Sequence, residues 1–351
     1  MKKIIIKTTL FTVPFMLLYC ITLLFYSADK GDLIRIGFIK DDNIYDRNIV
    51  FSKEIKKKIN FTTISNINLN LKHHFDVLTI GDSFSEQRNF GYQNYLADNN
   101  SVLHIDRNLH ENPIETAYSI LNGDLLNNIK VKYIVIQSVQ RDFIERAITL
   151  DTTKTITASS LLASMKKLKS KNVATEETAK APFYSSTLIK LPLYTLYYQF
   201  DDNAFYSKTY QVATKKNAFS TNNHKLLFLG EDIKKAKKKN TLADVEILNN
   251  QLNIVAKKYK DKGIQLIVLP CPDKFDAYYD QIVDNSKYLK PLFFTNFDMV
   301  KKNYLYVDSK KLLTNAINTK KDIYFYDDTH WSPIASKLIA DDINRIIKIS
   351  N

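Results

Sequence analysis

The chain has 351 residues, and its 50 Lys+Arg against 37 Asp+Glu give a formal net charge of +13. An apolar content of 45% with 12% aromatics excludes a disordered chain and provides for a sizeable core. The 7 glycines include no G-x-G-x-x-G or G-x-x-x-x-G-K-[ST] pattern, which excludes the usual phosphate-cradling loops.

The positive charge alone does not assign a nucleic-acid partner. Lysines are dispersed or gathered in short runs such as Lys234 to Lys239, which suit a solvated helix face. A basic protein is equally suited to an anionic membrane or an acidic polysaccharide. The two cysteines, Cys20 and Cys271, form no disulfide framework. The histidines show no metal-ligand spacing, so no metal or other cofactor is expected.

Three lysines lie within Met1 to Lys7, and Thr8 to Ser27 then run without a charge. At about 1.5 Å per residue that run crosses a bilayer core. The lysine flank places the N-terminus in the cytoplasm and sends the rest of the chain outside. A cleavable signal peptide is the rival. The run exceeds a usual signal core, and bulky Tyr26 fits a small-residue cleavage site poorly, which favours an uncleaved anchor. The expected organisation is a cytoplasmic tip and transmembrane signal-anchor over 1–28, a polar stalk or lead-in over 29–72, and one catalytic domain over 73–351.

Within the domain, Val77–Ile80, Val102–Ile105, Tyr133–Ile136, Ile264–Leu269 and Ile323–Tyr326 read as five short strands. They alternate little, as strands covered on both faces do. Leu242, Val245, Leu248, Leu252, Val255 and Tyr259 recur at helical steps, with Gly263 as a stop. Ser332-Pro333 opens a last helix through an N-cap and a first-turn proline. Alternating strands and helices predict an α/β fold with a parallel sheet between helical layers. The stretch at about 151–231 breaks this rhythm and reads as an insertion, suited to cover the substrate side.

Ser83 in Gly81-Asp82-Ser83 follows the first strand, at the edge where open α/β sheets bind ligands. A serine hydroxyl becomes a nucleophile when a base takes its proton and a third group orients that base. His330 follows the fifth expected strand, with Asp327 three residues and Asp328 two residues before it. Either carboxylate would serve as the orienter.

The order of Gly81-Asp82-Ser83 first and Asp327-Asp328-Thr329-His330-Trp331 last resembles the SGNH/GDSL hydrolase superfamily. The closer likeness is to SGNH-like acyltransferases of bacterial exopolysaccharide and cell-wall modification, including alginate O-acetylation proteins and DHHW-type proteins. Gly91 to Leu96 and Leu269 to Asp276 add to it, so the likeness runs from about residue 75 to 345 around the insertion.

The resemblance implies a three-layer, flavodoxin-like parallel sheet. It assigns Ser83 as the acyl-carrying nucleophile, His330 as base and acid, and Asp327 as orienter, with Asp328 the alternative at D-x-H spacing. The family's oxyanion glycine and asparagine have no evident counterpart. Gln140 stands as a substitute amide donor, Arg141 as a holder of an anionic group, and Lys274 and Trp331 as substrate contacts. The implied activity is O-acetylation of an extracytoplasmic polysaccharide at a bacterial cytoplasmic membrane. A membrane-bound acyltransferase partner would supply the acyl group. An SGNH esterase and a catalytically weak glycan-binding scaffold are the alternatives.

Overall fold

Val77, Leu78 and Ile80 carry apolar side chains to both faces of one strand, and all three are wholly buried. Only a sheet covered on both sides accommodates that pattern. A computed structural model describes residues 1–25, 33, 46–109, 112–176, 196–221, 224–238 and 240–350. Its main sheet has six strands: β1 (Thr62–Thr63), β2 (His73–Ile80), β3 (Val102–Ile105), β4 (Ile129–Val139), β7 (Gln265–Cys271) and β8 (Leu305–Tyr306). They lie in the order β1-β3-β2-β4-β7-β8, and every pairing is parallel. This is the α/β sheet expected from the sequence, with one apolar cluster on each face. The strand order reverses around β2, so the crevice at its carboxyl end is the topological switch point.

Four of the five expected strands are present. Ile323–Tyr326 is a correction. It joins no sheet, and Tyr324 instead makes an isolated antiparallel bridge to Trp331. Phe325 N–H donates to the His330 carbonyl at 3.1 Å and Ser332 N–H to that of Ile323 at 2.9 Å, so the segment folds back on itself. Its apolar run reflects aromatic burial rather than sheet pairing.

The helix Leu242–Lys260 begins with a capping box between Thr241 and Asp244, and Gly263 beyond it has φ +75°. In the last helix, Pro333–Ser350, Ser332 Oγ accepts from Ile334 N–H at 3.1 Å. The expected insertion contains the helix Ala158–Glu176 and an antiparallel hairpin, β5 (Thr209–Ala213) with β6 (Lys225–Leu229). Val212, Leu226 and Phe228 of the hairpin join the cluster that holds Trp331.

Lys2–Phe25 forms a 24-residue helix. Its Lys2–Ile21 portion has mean hydropathy 1.9 and is unburied, long and apolar enough to cross a membrane by length and composition. A signal sequence satisfies the same measure. Much of the lead-in lies outside the described residues. From Asp46 onward it is packed onto the domain: Asn60 N–H donates to Asn94 Oδ1 at 2.6 Å, and Asn94 Nδ2 donates to the Lys58 carbonyl at 2.9 Å.

Candidate active site

β2 ends at Ile80, and the chain turns at Gly81 with no room for a side chain. A Cβ there would lie 2.0 Å from Ser85 Oγ and 2.4 Å from Gln137 Oε1. Asp82 then caps the single 3-10 turn Ser83–Ser85 by accepting the Phe84 N–H at 3.1 Å. Gln137, near the end of β4, locks the turn from below. Its Oε1 accepts from Asp82 N–H at 2.9 Å and Ser85 Oγ at 2.7 Å, while its Nε2 donates to Asp82 Oδ1 at 2.9 Å.

The other Asp82 oxygen accepts from Val139 N–H at 2.7 Å and from Arg146 at 2.6 Å. Burial alone would raise this carboxyl, but the Arg146 guanidinium and the hydrogen bonds outweigh it and hold Asp82 ionised. Asp82 is therefore a structural anion, and the half-buried Ser83 is left facing solvent on a braced turn.

Ser83 lines a cleft of about 480 Å³ with Arg107, Asn108, Arg141, Asp142 and Arg146 among the other walls. No residue of 151–231 lines it among the described residues. Arg107 and Asn108 follow β3. Glu86 ties their loop to the Ser83 turn, accepting Arg107 N–H at 2.8 Å and contacting His104 Nε2 at 3.1 Å. Asn108, its amide also donating to Asp106 Oδ1 at 2.8 Å, lines the cleft, whereas the sequence pointed to Gln140 as the amide donor. The only signal for Asn108 was its position just past a strand end.

His330 approaches from the other side. Its ring lies 4.7 Å, centroid to centroid, from Phe84, the residue after Ser83. Its Nδ1 is 2.6 Å from Asp328 Oδ1, which also accepts the His330 backbone N–H at 3.0 Å. The Nε2 atom is buried and has no hydrogen-bond partner among the described residues. His330 thus packs on Phe84, the residue after Ser83; no hydrogen bond joins its ring to Ser83, and it is not among the walls of the Ser83 cleft.

Burial opposes the Asp328 charge, yet the His330 ring, its N–H and Arg47 outweigh that and hold the carboxyl well below its usual range. Asp327 is paired with Arg47 at 3.5 Å. Of the two candidate orienters, Asp328 is the one that meets the ring.

Three expected contacts have other settings. Lys274 is wholly buried. Its Nζ donates to the carbonyls of Phe325 at 2.6 Å, Tyr326 at 2.9 Å and Asp328 at 3.2 Å. It pins the His330 loop and offers no surface to a substrate. Trp331 is also fully buried, edge-on to Phe84 at 5.2 Å, and belongs to the core beneath the site. Gln140 turns its Oε1 to the Asp273 N–H at 3.1 Å and is buried. Arg141 does line the cleft, but Asp273 at 2.7 Å and Asp232 at 3.2 Å already meet its charge.

Gln87 was not singled out in the sequence, yet it joins the two halves of the site. Its Nε2 donates to the Trp331 carbonyl at 2.7 Å and its Oε1 accepts from Ser336 at 3.0 Å. Cys271 is buried, which pushes its thiol well up and leaves it inert. No cluster of three or more metal-ligating side chains occurs among the described residues.

Residues 224–350 match the family model of the SGNH hydrolase-like domain, acetyltransferase AlgX. That segment includes Asp327, Asp328 and His330, while Ser83 lies before it. No curated protein and no solved structure matches the chain. Over that segment, a little more than a third of the chain, the sequence is similar to an SGNH hydrolase-like acetyltransferase domain.

Proposed function

We propose that the protein is a membrane-anchored O-acetyltransferase that modifies a polysaccharide outside the cytoplasm through Ser83, His330 and Asp328. The observation that carries this reading is the state of the His330 ring. Nδ1 is engaged by the part-buried Asp328 carboxylate, whereas Nε2 has no hydrogen-bond partner among the described residues, and the ring packs on Phe84 next to Ser83. A histidine held in this way has its proton-accepting nitrogen free for a neighbouring hydroxyl.

The acyl donor is an ester or thioester. Ser83 Oγ attacks its carbonyl carbon, and the hydroxyl proton passes to His330 Nε2. The tetrahedral oxyanion is met by the Ser83 backbone N–H and by the Asn108 amide proton not given to Asp106. Collapse breaks the bond to the leaving oxygen or sulfur, which takes the proton from Nε2, and leaves an acetyl ester on Ser83. A sugar hydroxyl then gives its proton to Nε2 as its oxygen attacks that ester. Ser83 Oγ leaves with the proton, and the acetylated sugar is released. Asp328 holds the ring through both halves and stabilises the imidazolium without taking its proton.

The N-terminal helix would keep the domain at the membrane, where a membrane-bound acyltransferase would present the donor. Transfer is tested with an ester donor in the presence and absence of polysaccharide acceptors. Acetyl appearing on the glycan, with acetate release suppressed by acceptor, is the expected result. Acetate release that ignores every acceptor would make the protein an esterase.

A further inference from the structure

The lead-in between the apolar helix and the sheet touches the His330 loop at two separate points. Arg47, on the short helix Arg47–Val50, places Nη1 3.4 Å from Asp328 Oδ2 and Nη2 3.5 Å from Asp327 Oδ2. Its guanidinium carbon sits 5.3 Å above the Phe325 ring. That ring is in turn edge-on to Phe51 at 5.4 Å and to Phe90 at 5.9 Å. Farther back, buried Leu33 donates its N–H to the Asp327 carbonyl at 3.1 Å and accepts from Thr209 Oγ1 at 2.9 Å. A passive spacer needs neither contact.

We propose that Arg47 is a positioning residue: it clamps the Asp327–Asp328 carboxylates and so fixes the geometry in which Asp328 holds the His330 ring. The inference rests on the reading of His330 as the base. The mechanism uses Asp328 through one oxygen, Oδ1, on the ring. Arg47 occupies the other, Oδ2, so the carboxylate cannot rotate without breaking the ion pair. Two adjacent aspartates on one loop also repel each other, and a cation bridging them removes that repulsion.

The test is histidine-selective NMR on the full-length protein in detergent, following the hydrogen-bonded Nδ1–H proton of His330 in wild type, Arg47→Ala and Arg47→Lys. Arg47→Ala is expected to broaden and weaken that signal as Asp328 loses its fixed orientation, with Arg47→Lys returning most of it. Thermal unfolding of the same samples establishes that each variant is folded. A signal in folded Arg47→Ala equal to wild type overturns the clamp, as does a failure of Arg47→Lys to restore it. The readout needs no turnover. A protein whose signal behaves as expected but which never forms an acyl-enzyme would reject the transferase reading and keep the clamp.

Discussion

Asp328 Oδ1 meets both the ring Nδ1 of His330, at 2.6 Å, and the backbone N–H of the same residue, at 3.0 Å. Two bonds from one oxygen to one residue fix the tautomer and the ring plane together. The neighbouring Asp327 makes neither bond and faces Arg47.

The two aspartates should therefore separate in kinetics. With an ester substrate, Asp328→Asn is expected to slow acylation by about three to four orders of magnitude, since the amide favours the wrong tautomer. Asp327→Asn should cost less than about tenfold, since its ion pair is with Arg47 and not with the ring. Equal losses in the two variants would reverse or dissolve the assignment.

Lys274 makes a prediction of the opposite kind. Lys274→Met removes the donor from three buried carbonyls in the His330 loop. The expected loss is roughly 2–4 kcal/mol of stability, read as a lower denaturant midpoint. A variant as stable as wild type that is defective only in KM would return Lys274 to the role of a substrate contact.

At Gly81 the expectation is steric. Gly81→Ala drives a methyl group against Ser85 Oγ and Gln137 Oε1, the atoms that hold the nucleophile turn. A stability loss of roughly 1–3 kcal/mol with a matching fall in Ser83 reactivity is expected. Calorimetry and probe labelling on the same variant measure both.

Acid should loosen the sheet end. Asp76 is lowered to about 2 by the Lys132 hydrogen bond and by Ser101. Asp82 is also lowered, with burial outweighed by Arg146. A depressed carboxyl adds stability above its unfolded value near 4, and that contribution fades as pH falls through the folded value. Stability should thus decline from about pH 4 toward about 2. Asp82→Asn should flatten part of that decline, at the expense of stability near neutrality. An acid profile identical to wild type would exclude Asp82 as a native-state anion.

The sheet was legible because its central strands are apolar on both faces, a pattern set by burial and written locally in the sequence. Ile323–Tyr326 carries the same lettering for another reason: its aromatics are buried under a folded-back loop. β1 and β8 are two residues each and leave no periodic trace. At the site, Ser83, His330 and the two aspartates stood out as candidates because serine, histidine and carboxylate are distinctive types at element ends. The parts played by Gln87, Lys274 and Arg47 did not. Their roles consist of contacts with segments far away in the chain, and a lysine in sequence gives no sign that three carbonyls will enclose it. For an amide donor the sequence pointed to Gln140, which the fold buries against Asp273, whereas Asn108, from the loop after β3, lines the cleft.

The central claim is that Ser83 is a nucleophile served by His330. A fluorophosphonate probe followed by peptide mass spectrometry tests it directly on the full-length protein. The account predicts phosphonylation of Ser83 in wild type, none at that site in Ser83→Ala, and labelling of Ser83 slowed by at least about a thousandfold in His330→Ala. Wild type that stays unlabelled, or Ser83→Ala that takes up the probe as readily as wild type, would contradict it.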